Sequence, residues 1–190
     1  VVRPQSVELP DYRGYAGRLI GSGIEVGEEV IVLPSGIKSR IAAIEFAQKD
    51  VSKPEDGQSL VIHLKDDVDI SRGDFIVSNT HVPHTARSFE ANLSWFDNKP
   101  LDTSQVYLLQ YHSRLTKIKI PQILYKYDIN TQEFLYDTSI HMNDIGRVTI
   151  KAAEEVVFDL NSEFSKNARA IIIDPRNNLT IAALTIEEAV

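Results

Sequence analysis

Short aliphatic runs separated by turn-forming residues constrain the fold of this chain more than any other feature of its sequence. The apolar runs of the first half occupy residues 15–20, 29–33, 38–47, 60–64 and 75–78. Gly21-Ser22-Gly23 and Pro34-Ser35-Gly36 directly follow two of them, and the polar segment 49–58 is predicted to be an exposed loop. Strands of about five residues, interrupted roughly every eight to twelve residues by Gly, Pro or Ser, are typical of β-sandwiches and β-barrels.

The second half continues the same pattern. Its apolar runs occupy residues 88–96, 106–111, 115–127, 146–158, 170–174 and 179–186. Ser88 to Phe96 alternates apolar and polar residues, as a strand with one buried face does. Helical turns are predicted only at 160–166 and 187–188, so a parallel α/β fold is excluded for want of crossover helices. The predicted fold class is all-β, with a β-sandwich or β-barrel in each half.

The chain is long enough for two domains of ordinary size, since it has 190 residues. The segment His81-Val82-Pro83-His84 is the predicted linker, because Pro83 has no amide hydrogen for a sheet ladder and the composition changes on either side. The predicted domains are residues 1–83 and 84–190.

The charge balance argues against an autonomous nucleic-acid-binding protein. Lys and Arg number 20 against 27 Asp and Glu, and both halves carry an acidic excess. The sequence has no apolar run of about eighteen residues, no basic-then-apolar signal segment and no Cys, so neither a membrane partner nor a disulfide framework is expected and the predicted location is the cytoplasm. Because the first residue is Val1 and not Met, we expect a piece of a longer polypeptide.

No segment carries a complete catalytic, cofactor-binding or metal-binding signature. A phosphate-binding G-x-x-x-x-G-K-[ST] loop and a G-x-S-x-G nucleophile elbow are both absent from the sequence. His81 and His84 supply at most two metal ligands, and an ordinary linker explains them better. Lys117 and Lys119 share one face of a predicted strand, where they either meet an anionic partner or form a solvated outer face. We therefore predict no catalytic, cofactor or metal residue in this chain.

Residues 13–34 carry the most specific pattern, RGYAGRLIGSGIEVGEEVIVLP. This segment resembles the start of the second domain of translation-factor GTPases, and Ile70 to Asp74 resembles the signal before the last strand of that barrel. Asn143 to Val148 and Ile171 to Asp174 resemble segments of the third domain. Within this superfamily, Asp11 to Gly17, Leu33 to Gly36 and Tyr125 to Thr131 are most similar to the GTP-hydrolysing large subunits of bacterial sulfate adenylyltransferase.

The resemblance implies a parent subunit whose N-terminal G domain, outside this sequence, binds GTP and Mg²⁺. It also implies a small catalytic partner subunit that makes adenosine 5′-phosphosulfate and pyrophosphate from ATP and sulfate, driven by GTP hydrolysis. For this chain the resemblance implies two tandem antiparallel β-barrels, which form a non-catalytic module that packs on the G domain and on the partner. Candidate contacts are Arg13, Tyr15 and the 49–58 loop, with Lys117 and Lys119 as the basic alternative; an ordinary surface loop is the competing interpretation.

Two other functions fit the same sequence. One is a translation factor whose equivalent barrels bind aminoacyl-tRNA, which the acidic balance of both halves disfavours. The other is a stand-alone β-barrel binding protein without a GTPase.

Overall fold

The computed structural model describes residues 12–21, 23–136 and 139–190. The chain divides into two compact units, one ending at Pro83 and the other beginning at His84. Both are built from antiparallel strands, so the predicted all-β barrel fold is confirmed. In the described ranges, no helix has the length and apolar character needed to cross a membrane.

The first unit is a six-stranded antiparallel sheet. Its strands are β1 (Tyr15–Arg18), β2 (Glu29–Leu33), β3 (Ile37–Phe46), β4 (Lys49–Asp50), β5 (Ser59–Leu64) and β6 (Phe75–Ser78). They pair in the order β1-β5-β3-β2-β6, and β4 pairs with the end of β3. The sheet curls around its core, because Tyr15 of the first edge strand and Ile76 of the last pack in one apolar cluster with Val32, Val68 and Ile70.

The second unit is a closed barrel. Its strands are β7 (His84–Trp95), β8 (Tyr107–Tyr111), β9 (Arg114–Asp128), β10 (Glu133–Leu135), β11 (Ile145–Phe158), β12 (Arg169–Ile173) and β13 (Thr180–Ala189), with one short helix, α1 (Asn161–Phe164), between β11 and β12. The pairing order β9-β11-β7-β13-β12-β8 returns to β9, because β8 and β9 also pair. Six strands therefore form a ring, and β10 is attached outside it through β9.

Alternation along β7 shows how the sequence fills the ring. Phe89, Ala91, Leu93 and Trp95 are fully or almost fully buried, and each residue between them is only partly buried. Successive side chains of a strand point to opposite faces, so one set packs inside the barrel and the other forms its outer wall.

Three local predictions are wrong. The 49–58 loop begins with a short strand, β4, since the chain turns back on the end of β3. His84, assigned to the linker, is the first residue of β7 and pairs with Phe158. Glu187 and Glu188 lie in β13 and form no helical turn, because this part of the strand pairs with β7. The helical turn predicted within 160–166 is confirmed as α1.

Candidate interaction face

The outer wall of the second barrel carries two rows of side chains that run across the strands, and we call this surface the outer face. Directly opposed residues of neighbouring strands project on the same side of a sheet. One row consists of Tyr125, Arg147, Asn92, Thr185 and Arg169. The next row consists of Tyr127, Ile145, Ser94, Ala183, Ile171 and Gln110. Apolar and short polar side chains thus predominate where a solvated wall would carry long charged ones.

A depression of about 520 Å³ lies on the outer face over strands β7, β13, β12 and β8. The side chains around it include Asn92, Ser94, Gln110, His112, Arg169, Ile171, Ala183 and Thr185. The small side chains of Ser94 and Ala183 lie where the second row passes from β7 to β13. Side chains in the middle of the rows are short and those at the ends are longer. The surface is therefore concave, and a convex surface of another protein can fill it.

Hydrogen bonds fix the polar side chains of this depression. The Oε1 atom of Glu187 accepts hydrogen bonds from Asn92 Nδ2 at 2.9 Å, from Thr185 Oγ1 at 2.9 Å and from Asn161 Nδ2 at 3.2 Å. His112 Nε2 lies 2.6 Å from the side-chain oxygen of Asn167, a buried residue that donates in turn to Asp159. These contacts hold the wall of the depression in one arrangement before any partner binds.

Arg169 is the exposed cation of the depression. Its side chain has no ion-pair partner among the described residues. A guanidinium on a rigid strand offers several N–H donors in a fixed plane, which suits a carboxylate or another planar anion. Sequence reasoning missed Arg169 because its neighbours come from other strands and no local pattern joins them.

Lys117 and Lys119 lie on a different part of the barrel wall. Both are exposed and separated by the buried Ile118, so their predicted position on one face of a strand is confirmed. Lys119 lies directly opposite Lys151 of β11, a neighbour that the sequence did not indicate. Like charges in directly opposed positions repel each other, so this patch would gain from an anionic partner. Their role in an interface stays a prediction.

Arg13 and Tyr15 differ in accessibility. The Tyr15 side chain is 5% exposed and its hydroxyl donates to the carbonyl oxygen of Val68, so it closes the core of the first unit. Arg13 is about one-third exposed, donates to the same carbonyl at 2.9 Å and forms an ion pair with Asp67. A partner that binds at Arg13 would have to contact its guanidinium alongside Asp67, or replace Asp67 as its ion-pair partner.

The segment that carries Arg13 is also held from its other side. His63 Nδ1 donates to the Arg13 carbonyl oxygen at 2.7 Å, and His63 Nε2 lies 2.7 Å from a carboxylate oxygen of Glu45. The Tyr12 hydroxyl donates to the same carboxylate at 3.0 Å. Asp11, the first residue of the segment Asp11 to Gly17 that carries part of the family resemblance, lies outside the described residues.

The described ranges contain no arrangement suited to metal binding, since no group of three or more His, Asp or Glu side chains is placed to hold an ion. His84 lies 3.1 Å from Glu163 and its ring stacks near Phe158 at 6.0 Å, which are contacts of a structural histidine. The concave outer face of the described part of this barrel is suited to binding another surface.

Comparison with known proteins places these observations in a family. Residues 88–187 match the family model described as GTP-eEF1A C-terminal domain-like. The sequence is 33% identical over 180 residues to sulfate adenylyltransferase subunit 1 of Colwellia psychrerythraea, covering 95% of this chain and 39% of the relative. It is 35% identical over 181 residues to the subunit of the same name from Shewanella oneidensis, covering 93% of this chain and 37% of the relative.

A solved structure of sup35 complexed with GDP has the same fold. It superposes with a TM-score of 0.83 at 15% identity and covers 94% of this chain and 44% of that protein. The chain spans less than two-fifths of the length of the two sulfate adenylyltransferase subunits. The resemblance to sulfate adenylyltransferase subunits seen in the sequence is confirmed, and the chain belongs to the GTP-eEF1A C-terminal domain-like family.

Proposed function

We propose that this chain is the two-barrel module of the GTP-hydrolysing subunit of a sulfate adenylyltransferase. The observation that carries the proposal is the similarity of 33–35% to proteins named sulfate adenylyltransferase subunit 1 over nearly the whole chain. In the reaction, a sulfate oxygen attacks the α-phosphorus of ATP and displaces pyrophosphate, giving adenosine 5′-phosphosulfate. This equilibrium is unfavourable, and GTP hydrolysis on the same complex would drive it.

The module itself would be non-catalytic. GTP and Mg²⁺ would bind a G domain of the parent protein, because this sequence has no phosphate-binding loop and its described residues offer no metal-binding group. The small catalytic subunit would bind ATP and sulfate. The substrates ATP and GTP agree with a cytoplasmic location, and the acidic excess of both halves disfavours a nucleic-acid partner.

The module would contribute by transmitting movement. Barrels with hydrogen-bonded rings move as rigid bodies, so a shift at one protein contact is passed to another contact without being absorbed. We assign the depression around Arg169 as one such contact, with the patch of Lys117 and Lys119 as the alternative contact on the same barrel.

The test uses the full-length parent subunit, captured with its partner and assayed for adenosine 5′-phosphosulfate formation with and without GTP. We expect formation to require the partner and to be stimulated by GTP. Arg169→Glu should reduce the stimulation by about tenfold or more, as expected when reversal of one charge breaks a charge-assisted contact. Arg72→Glu makes the same charge change at an exposed turn of the first unit and should leave stimulation unchanged.

The outcomes separate the alternatives. A parent protein without GTP-dependent synthesis would overturn the proposed function. If Arg169→Glu behaves like Arg72→Glu while Lys117→Glu abolishes stimulation, the contact lies on the lysine patch and our assignment of the depression is wrong.

A further inference from the structure

The hairpin formed by the end of β9 and by β10 displays four aromatic side chains on one face. Tyr125 and Tyr127 of β9 face Phe134 of β10, with ring centroids 4.9 Å and 5.6 Å from Phe134. Tyr136 extends the set, its ring lying 6.5 Å from that of Tyr125. We call these four residues the aromatic ladder. It borders the outer face, because Tyr125 and Tyr127 begin the two rows described above.

The outer half of the ladder is unusually accessible. Phe134 is 56% exposed and Tyr136 is 82% exposed. Tyr125 and Tyr127 are only partly exposed, so packing within the protein accounts for their position. Packing does not account for Phe134 and Tyr136, whose aromatic rings are exposed to water. Exposed aromatic residues in contact with one another are characteristic of protein-binding surfaces, where they supply area at a low cost in conformational entropy.

The backbone beside the ladder is also available. Among the described strands, β10 pairs with β9 alone, so its second edge has no neighbour. Neither Pro nor Lys, the residues that commonly protect such edges, occurs in β10. An extended chain can therefore add to this edge through main-chain hydrogen bonds.

The charged residues of the hairpin indicate which kind of extended segment can bind at its edge. The two neighbouring cations are already neutralised: Lys126 pairs with Asp144 at 3.3 Å, and Arg147 pairs with Glu90 at 3.0 Å. Glu133 of β10 is exposed and has no ion-pair partner among the described residues. It projects from the face of the hairpin opposite to the ladder, since it is paired with Asp128 while Phe134 is paired with Tyr127, so its charge acts at the edge of β10. Unbalanced charge at the hairpin is thus negative, and the faces of the aromatic rings attract cations as well.

We propose that the free edge of β10 and the aromatic ladder bind an extended, arginine-bearing segment of another protein. Its backbone adds as a strand to β10, and its arginine side chains stack on Phe134 and Tyr136, which lie on the same face of the hairpin. Arginine fits better than lysine, since a planar guanidinium stacks on an aromatic ring and is less strongly hydrated than an ammonium group. The ladder does not depend on the reaction of the parent protein, so its test needs no activity.

The test measures binding of chain 1–190 to three fluorescent peptides of about six residues in which Val alternates with Arg, Lys or Glu. We expect the Arg peptide to bind roughly two- to fivefold more tightly than the Lys peptide, and the Glu peptide not to bind. N-methylation of alternate amides of the Arg peptide should abolish its binding, because a strand added to β10 needs those donors.

Variants locate the site. The double variant Phe134→Ala, Tyr136→Ala should weaken binding of the Arg peptide at least tenfold. Leu115→Ala removes a side chain of similar exposure, 54%, from another part of the barrel and should leave binding unchanged. Circular dichroism of both variants shows whether the barrel remains folded; both substitutions lie on the surface, so unfolding is not expected.

Three results would overturn the proposal: no binding of the Arg peptide, equal binding of the Arg and Glu peptides, or unchanged binding by the double variant. A concentration-dependent dimer of chain 1–190 that the double variant abolishes would also overturn it, because the occupant would then be a second copy.

Discussion

Gly14 is a residue at which close packing leaves no room for a side chain. A Cβ atom added to Gly14 would lie 2.4 Å from Cγ1 of Val61 and 3.2 Å from Cε1 of His63. Val61 is itself buried, and its β-branched side chain has few alternative rotamers. The absence of a side chain at Gly14 therefore allows the Tyr12–Tyr15 segment to lie against β5.

We expect Gly14→Ala to destabilise the first unit by about 1–3 kcal/mol, the usual cost of overpacking. Urea unfolding monitored by circular dichroism measures the change. Gly17→Ala, three residues further along in β1, is the matched control, because nothing lies within 4 Å of its added Cβ. Equal losses in the two variants would contradict the contact with Val61 as the cause.

Asp174 and Arg176 form a compact ion pair at the turn before β13. Two guanidinium nitrogens, Nε and Nη2, donate to the Asp174 carboxylate at 2.7–3.1 Å. The hydrogen bonds from Arg176 hold the pKa of the Asp174 carboxyl below its usual value, and the same pair raises the pKa of Arg176. Because the folded state lowers the pKa of Asp174, the pair stabilises the protein above the pKa of the unfolded chain, about 4, and loses that contribution as the pH falls further.

Arg176→Gln should therefore destabilise the protein at pH 7 and do so progressively less below about pH 4. Urea midpoints of the wild type and the variant at pH 7 and pH 3 provide the measurement. Arg176→Lys keeps the charge but loses the bidentate geometry, so its loss at pH 7 should be smaller. A loss of equal size at both pH values would mean that the ion pair does not contribute.

At the scale of the element, β7 is the strand on which the second barrel is organised. It pairs along one side with β11 and along the other with β13, and its inward residues are fully or almost fully buried. Its outward residues Asn92 and Ser94 contribute to the outer face. Residues of one strand thus pack the core on one side and form part of the candidate interaction face on the other.

Leu93→Ala should cost about 2–5 kcal/mol, because it opens a cavity at a fully buried position. Ser94→Ala, the next residue along the same strand, should change stability by about 0.5 kcal/mol or less, since its side chain lies on the outer wall. Thermal or urea unfolding separates the two. Similar losses in the two variants would contradict the assignment of the inner and outer faces of β7.

Apolar runs bounded by turn residues predicted the strands other than β4 and β10, and β2 (Glu29–Leu33) and β6 (Phe75–Ser78) have the predicted bounds. The short strands β4 and β10 escaped prediction because they have two and three residues and exist only through pairing with a neighbour. The candidate face escaped for a related reason. Arg169 and Asn92 are separated by more than seventy positions in the sequence, and only the register of three strands makes them part of one row.

At the scale of the whole molecule, the spacing of turn residues was enough to predict an all-β fold. The residues that carried the family resemblance then narrowed that fold to barrels. Closure of the second barrel could not be read from the sequence, because it depends on β8 pairing with both β9 and β12. The strand order depends on which long-range pairings bury the most apolar surface, and local propensity holds no information about that choice.

The last strand of the chain is also the one that completes the ring. β13 lies between β7 and β12, so a nascent chain that lacks residues 180–189 would contain five ring strands but leave two sheet edges open. Open edges with apolar residues recruit other chains and begin aggregation. During synthesis the second barrel is therefore exposed to misassembly until its final strand has left the ribosome, and loss of this strand to a protease would return a folded barrel to the same hazard.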